Sequence, residues 1–136
     1  GFDPKVAFVS HSTFGQPLTS RTKHIKNAVQ ILKDRKVDFE FDGDMQPDVA
    51  LNEEYKSLYP FSKIVGNANI LIMPGQHSAA ISYKMIKTLG DTKVIGPLLI
   101  GLGLPIEIAP LRSSTSEILN LASIAAYSSD VIDYTK

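Results

Sequence analysis

Three short segments of the sequence carry the residue types that hold anions or move protons. The first is Ser10-His11-Ser12-Thr13-Phe14-Gly15-Gln16-Pro17. Its hydroxyls and its flexible glycine can present several donors to an anion; the same composition also makes a solvated loop of Ser/Thr turns. The second is Met73-Pro74-Gly75-Gln76-His77-Ser78, ahead of a helical pattern. Backbone N–H groups and the helix dipole make a weak anion site there, and His77 offers a proton or a phosphate contact. More often a histidine at this position is a cap or an ordinary partly buried side chain, because one titratable ring alone is no mechanism. The third is Ala109-Pro110-Leu111-Arg112-Ser113-Ser114. A guanidinium beside two hydroxyls at a helix start suits a phosphate, and it equally suits a surface arginine next to an N-cap.

These segments place the candidate ligand-binding residues at Ser10, Ser12, Thr13, Gly15, His77, Ser78, Arg112, Ser113 and Ser114. The three histidines, at 11, 24 and 77, lack the close spacing of metal ligands, and His24 falls inside a helical pattern. Glu40, Asp42 and Asp44 form an acidic patch at the end of a strand pattern, where Asp-Gly-Asp reads chiefly as turn chemistry. No metal site is expected in this chain. Gly101-Leu102-Gly103 lacks the third glycine and the following helix of a dinucleotide fingerprint. With no cysteine there is neither a disulfide frame nor a thiolate nucleophile.

The elements that must position these loops follow from two periodicities. Lys5 to Ser10 is a short, β-rich, buried strand pattern. Ile25, Ala28, Val29 and Leu32 put an apolar stripe on a helix over residues 21–34, capped by Thr19 or Ser20. Val37 to Phe41 alternates like a half-buried strand. Pro47 opens a helix to about Tyr55, and Ala68 to Met73 reads as another buried strand. Ser78 caps a helix that runs to Leu89 and stops at Gly90. Lys93 to Ile100 and Pro105 to Ile108 read as strands broken by glycine and proline. Ser114-Thr115-Ser116-Glu117 has capping-box spacing and starts a helix to about Tyr127, apolar nearly all round and so expected to be buried.

Strand–helix alternation over 136 residues implies one α/β domain with a mostly parallel sheet. Fourteen basic and fourteen acidic side chains cancel. That balance gives no basic surface for nucleic acid and no polybasic signal for a membrane. No apolar run is long enough for an uninterrupted spanning helix, and no signal-peptide pattern stands at the start, so a cytoplasmic setting is expected. The sequence opens Gly1-Phe2-Asp3-Pro4 rather than with Met, and residues 1–136 are expected to be a piece of a longer polypeptide.

The order of segments adds a resemblance. Val37-Asp-Phe-Glu-Phe-Asp-Gly-Asp-Met-Gln-Pro-Asp-Val-Ala-Leu51, Tyr59-Pro-Phe61, Ala68-Asn-Ile-Leu-Ile-Met-Pro74, His77-Ser-Ala79 and Val94-Ile-Gly-Pro-Leu-Leu-Ile-Gly-Leu102 together resemble the phosphate acetyl/butyryltransferase family. Within it, the chain looks most like the phosphotransacetylase-like C-terminal domain of bacterial NADP-dependent malic enzymes. The resemblance implies a three-layer α/β fold like the isocitrate/isopropylmalate dehydrogenases, of which this chain is the C-terminal lobe. It implies acetyl-CoA or another acyl-CoA as ligand in a cleft between lobes. Partners would be the chain's own N-terminal lobe and a malic enzyme domain, in a homo-oligomer. NADP and a divalent metal (Mg or Mn) would belong to that other domain, and this chain would hold no cofactor.

The departures from the family pattern shape the functional expectation. Active transacetylases of this pattern carry a Ser-Arg pair just before the last helix and an Asp in its first turn. Pro110, Leu111 and Glu117 stand at those positions here. The resemblance therefore implies a regulatory and assembly domain that binds acetyl-CoA without a transferase reaction of its own. Two alternatives stay open: an active phosphate acetyltransferase in which Arg112 and Glu117 fill the vacated roles, and an oligomerisation scaffold only.

Overall fold

The computed structural model describes residues 2–131. The chain divides into two compact units, the first ending at Lys84 and the second beginning at Met85. The first unit is built on three parallel strands in the order β2-β1-β3: β1 is Lys5–Val9, β2 is Glu40–Met45 and β3 is Ile70–Ile72. Around them lie α1 (Ser20–Arg35), α2 (Pro47–Leu51) and α3 (Glu53–Lys56), while α4 (Gln76–Leu89) crosses the boundary between units. The α/β class and the parallel sheet are those expected.

Strand β1 is central, and Val6, Ala7 and Val9 are buried as a central parallel strand requires. Helix α1 is closed at its start by a reciprocal cap. The Thr22 N–H donates to Thr19 Oγ1 at 3.3 Å, and the Thr19 N–H donates to Thr22 Oγ1 at 2.9 Å. Its Ile25 and Val29 point inward. The core gathers Ala7, Met45, Val49, Ala50, Ile64 and Ala68, with Phe14, Tyr59 and Leu71 packed against it.

Several expectations are corrected here. Strand β2 begins at Glu40 rather than Val37, because the ladder starts where β1 starts: Lys5 pairs with Glu40. Asp42-Gly43-Asp44 is therefore strand, not turn. Gly43 is needed there, since its φ is +149° and a Cβ would sit 2.6 Å from the Phe8 carbonyl oxygen. The helix opened by Pro47 is two helices, broken at Asn52, whose side chain accepts from the Glu54 N–H at 2.9 Å. Strand β3 spans three residues at a sheet edge, and Ile70 and Ile72 are exposed rather than buried. Helix α4 starts at Gln76, so Ser78 is not its cap; its hydroxyl donates back to the Gly75 carbonyl at 2.9 Å.

In the second unit, the described residues form no strand between 93 and 108. Glycine and proline interrupt the apolar runs, and the Leu99 N–H is taken by the Glu107 carboxylate at 3.2 Å instead of a neighbouring strand. Helix α5 (Thr115–Val131) has the expected Ser114–Glu117 box: the Glu117 N–H donates to Ser114 Oγ at 3.3 Å, and the Ser114 N–H donates to Glu117 Oε2 at 2.7 Å. Its expected burial is not found. Leu121 is buried, but Ile118, Leu119 and Tyr127 are exposed.

Candidate functional site

The loop after β1 is shaped by an irregularity in the ladder. Phe8 pairs with Gly43 and Val9 with Met45, so Asp44 is an extra residue on β2. Such a bulge turns a side chain out of the sheet register. Asp44 is completely buried, and its Oδ2 accepts the Ser12 hydroxyl and, at 3.2 Å, the Gly15 N–H. Its carbonyl accepts the Phe14 N–H at 2.6 Å. Ser10 Oγ lies 3.3 Å from Ser12 Oγ. Because Ser12 gives its one proton to Asp44, it can only accept from Ser10.

Further bonds complete the loop. The Gln46 N–H donates to Thr13 Oγ1 at 3.2 Å, and Gln46 Nε2 donates to the His11 carbonyl at 2.9 Å. Phe14 adopts φ +49° and is held between Tyr59 and Phe61, with ring centroids 5.5 and 4.8 Å away. Ser12, Thr13 and Gly15 are thus buried and bonded to Asp44 and Gln46, at and just beyond the end of β2. They brace the segment that presents Ser10 and His11.

Beyond the carboxyl ends of β1 and β3 opens a cleft of about 630 Å³. These two strands are neighbours, and the segments leaving them run to α1 and α4, which is where ligands collect in open parallel sheets. The cleft brings together Ser10 and His11 from the first predicted segment with His77 and Ser78 from the second. Helix α1 adds Arg21 and His24, three residues apart and so on one face; sequence reasoning missed both as site residues. The usable signal was their spacing beside the inward-facing Ile25. The chain's three histidines all line this cleft, and no carboxylate does. Among the described residues, no three His, Asp or Glu side chains group as ligands for a metal ion. The role of Asp44 was also missed, because Asp-Gly-Asp was read as a turn.

The third predicted segment belongs to the second unit. The Ser113 N–H donates to the Pro110 carbonyl at 2.9 Å, making a tight turn ahead of α5. The Ser113 hydroxyl is buried without a hydrogen-bond partner, beside a space of about 10 Å³, room for one water. Arg112 is exposed, and Ser114 is the cap of α5. Glu117 is paired with Lys87 and accepts both the N–H and the hydroxyl of Ser114. The Lys87 ammonium, and then the Ser114 donors, hold its carboxyl down at about 2. No helix among the described residues is long and apolar enough to cross a membrane.

The sequence model of the phosphate acetyl/butaryl transferase family matches residues 1–126. This chain belongs to that family. It is 50% identical over 127 residues to an NADP-dependent malic enzyme of Rhizobium meliloti, covering 93% of this chain and 17% of that protein. It is 36% identical over 123 residues to a phosphate acetyltransferase of Clostridium acetobutylicum, covering 90% of this chain and 37% of that one. Among solved structures, a phosphotransacetylase from Streptococcus pyogenes superposes with a TM-score of 0.86 at 32% identity, over 96% of this chain and 40% of that one. The chain thus spans under a fifth of the malic enzyme relative and about two fifths of the transacetylases.

Proposed function

We propose that this chain is the phosphotransacetylase-like regulatory and assembly lobe of a cytoplasmic NADP-dependent malic enzyme, and that it binds acetyl-CoA without transferring its acetyl group. The observation that carries this reading is a formed cleft in a chain with Pro110 and Leu111 where the resemblance leads one to expect hydrogen-bond donors. The cleft at the strand ends is open and lined by Ser10, Arg21 and three imidazoles. Yet Pro110 and Leu111 occupy the positions where the family resemblance places a Ser-Arg pair. Neither side chain can donate a hydrogen bond, and acyl transfer depends on donors aimed at developing charge. Glu117, at the position of the family's Asp, is committed to Lys87 and to capping α5. The identity to part of a malic enzyme supports the parent activity, oxidative decarboxylation of malate to pyruvate, with NADP and a divalent metal held outside this chain.

Regulation in this sense requires that acetyl-CoA bind two states of the oligomeric enzyme with different affinity. Malate-dependent NADPH formation by the full-length protein should therefore change as acetyl-CoA is raised to saturation. A flat response overturns the regulatory role. Acetyl-CoA formation from acetyl phosphate and CoA should be absent even at high enzyme concentration, and measurable turnover would restore the transferase reading.

A further inference from the structure

We infer that a second concavity, between α1 and β2, is a binding site for a nucleoside polyphosphate, with three lysines for the phosphates and a braced aromatic ring for the base. It is separate from the cleft proposed for acetyl-CoA, because no residue lines both.

Charge is concentrated on α1 in a chain that is neutral overall. The helix carries Arg21, Lys23, Lys26, Lys33 and Arg35 against a single acid, Asp34, while the chain's fourteen basic and fourteen acidic side chains cancel. Lys26 and Lys33 are two turns apart and so share one face of α1. That face borders a space of about 420 Å³, within the range of small-molecule sites. Lys63 enters the same space from the segment after α3. Lys26 lies against the backbone of Gly15, where a Cβ would collide with its ammonium. Among the described residues, no ion pair or hydrogen bond takes any of the three ammoniums.

The nearby acids are already engaged. Asp42 lines the space, but it is buried and its carboxylate accepts the Lys63 N–H at 2.8 Å and the Gly43 N–H at 2.9 Å. Asp34 does not line it, and accepts from Gln30 Nε2 at 2.9 Å. The remaining wall is aromatic. Phe61 is 64% exposed, yet it is wedged edge-on against Phe14 and Tyr59, with ring centroids 4.8 and 6.1 Å away. A ring held by its neighbours and open on its other side is a ready platform for a planar base, which stacks on aromatic side chains. A single carboxylate cannot match three ammoniums around one small space. A phosphate chain brings several charges along a short length, and lysine meets phosphate oxygens as a point charge. The platform beside the lysines selects a chain that is attached to a base.

The test is equilibrium binding of ATP and, separately, of inorganic tripolyphosphate and adenosine to the full-length protein. ATP should bind the most tightly of the three. Changing Lys26, Lys33 and Lys63 together to Gln should weaken ATP and tripolyphosphate by about tenfold or more. Phe61→Ala should weaken ATP by about fivefold or more and leave tripolyphosphate unchanged, while Phe61→Trp should hold ATP at least as tightly as the unmodified protein. All four side chains are exposed, and an unchanged circular dichroism spectrum checks that each variant is folded. Acetyl-CoA at saturation should leave ATP bound. ATP that fails to bind, or that binds regardless of the lysines, overturns the site. Tripolyphosphate that binds as tightly as ATP, or ATP that is indifferent to Phe61, overturns the nucleoside assignment. Displacement of ATP by acetyl-CoA overturns the separateness of the two sites.

Discussion

Met45 in β2 and Leu119 in α5 are both large apolar side chains in regular elements of one chain, yet Met45 is wholly buried and Leu119 is 65% exposed. The contrast extends to their surroundings. The first unit closes a core around Met45 from a parallel sheet, the short helix α2 and the segment that leads to β3. It also hides two carboxylates, Asp42 and Asp44, each bonded to backbone N–H groups. Among the described residues of the second unit, Leu121 is the one buried hydrophobic side chain. Helix α5 is held by its cap and its internal ladder, not by burial. The difference teaches that apolar content alone does not make a core. What separates the units is whether strands pair: three do in the first unit, and none forms among the described residues 93–108 of the second.

The sharpest way to break this comparison is to truncate both side chains. Met45→Ala should cost about 2–5 kcal/mol, the transfer term plus the cavity left in a packed core. Leu119→Ala should change stability by no more than about 0.5 kcal/mol. Chemical denaturation followed by circular dichroism reads both, and comparable losses would show that α5 is covered as well as β2 is.

Next in size is the buried carboxylate. Asp44→Ala leaves the Ser12 hydroxyl and the Gly15 N–H without their acceptor, and should cost about 1–3 kcal/mol. Ser12→Ala in the Asp44→Ala background should then cost clearly less than Ser12→Ala alone. Additive losses would mean that the two side chains do not work as a pair. Smaller again is the cap of α1: Thr19→Ala should cost about 1 kcal/mol, because the Thr22 N–H loses its side-chain acceptor.

How much of this was legible in the sequence follows from what each feature depends on. Strand β1, helix α1 and the Ser114–Glu117 box were readable because a local period or a three-residue spacing decides them. Strand β2 was misplaced because Val37 to Phe41 alternates convincingly, whereas the real ladder is fixed by its partner β1. Asp44 looked like a turn residue for the same reason, a bulge being a property of two strands and not of one. At the candidate site, Ser10, His77 and Ser78 were expected from the rule that ligands gather at strand ends, and the three line one cleft. Arg21 and His24 were missed because which face of α1 meets the cleft is decided by packing around Ile25. The burial expected for α5 failed because an all-round apolar helix specifies that it wants cover, not that the same chain supplies it.

The smallest effect lies in the second unit and tests whether its order is electrostatic at the surface. The Lys87 ammonium, followed by the Ser114 N–H and hydroxyl, lowers the Glu117 carboxyl from an ordinary 4.5 to about 2. A carboxyl depressed on folding contributes stability above its unfolded value and loses it as pH falls through the folded one. The Glu117 contribution should therefore be complete above about pH 4.5 and vanish as pH drops toward about 2. Carbon-detected NMR titration should place the Glu117 midpoint near 2, and Lys87→Met should move it upward by removing the first of the causes. Salt should raise it in the unmodified protein, since the pair is exposed to solvent. A midpoint near 4.5 that ignores both Lys87 and salt would mean that Glu117 serves α5 as a cap alone, and that the second unit owes nothing to the Lys87–Glu117 pair.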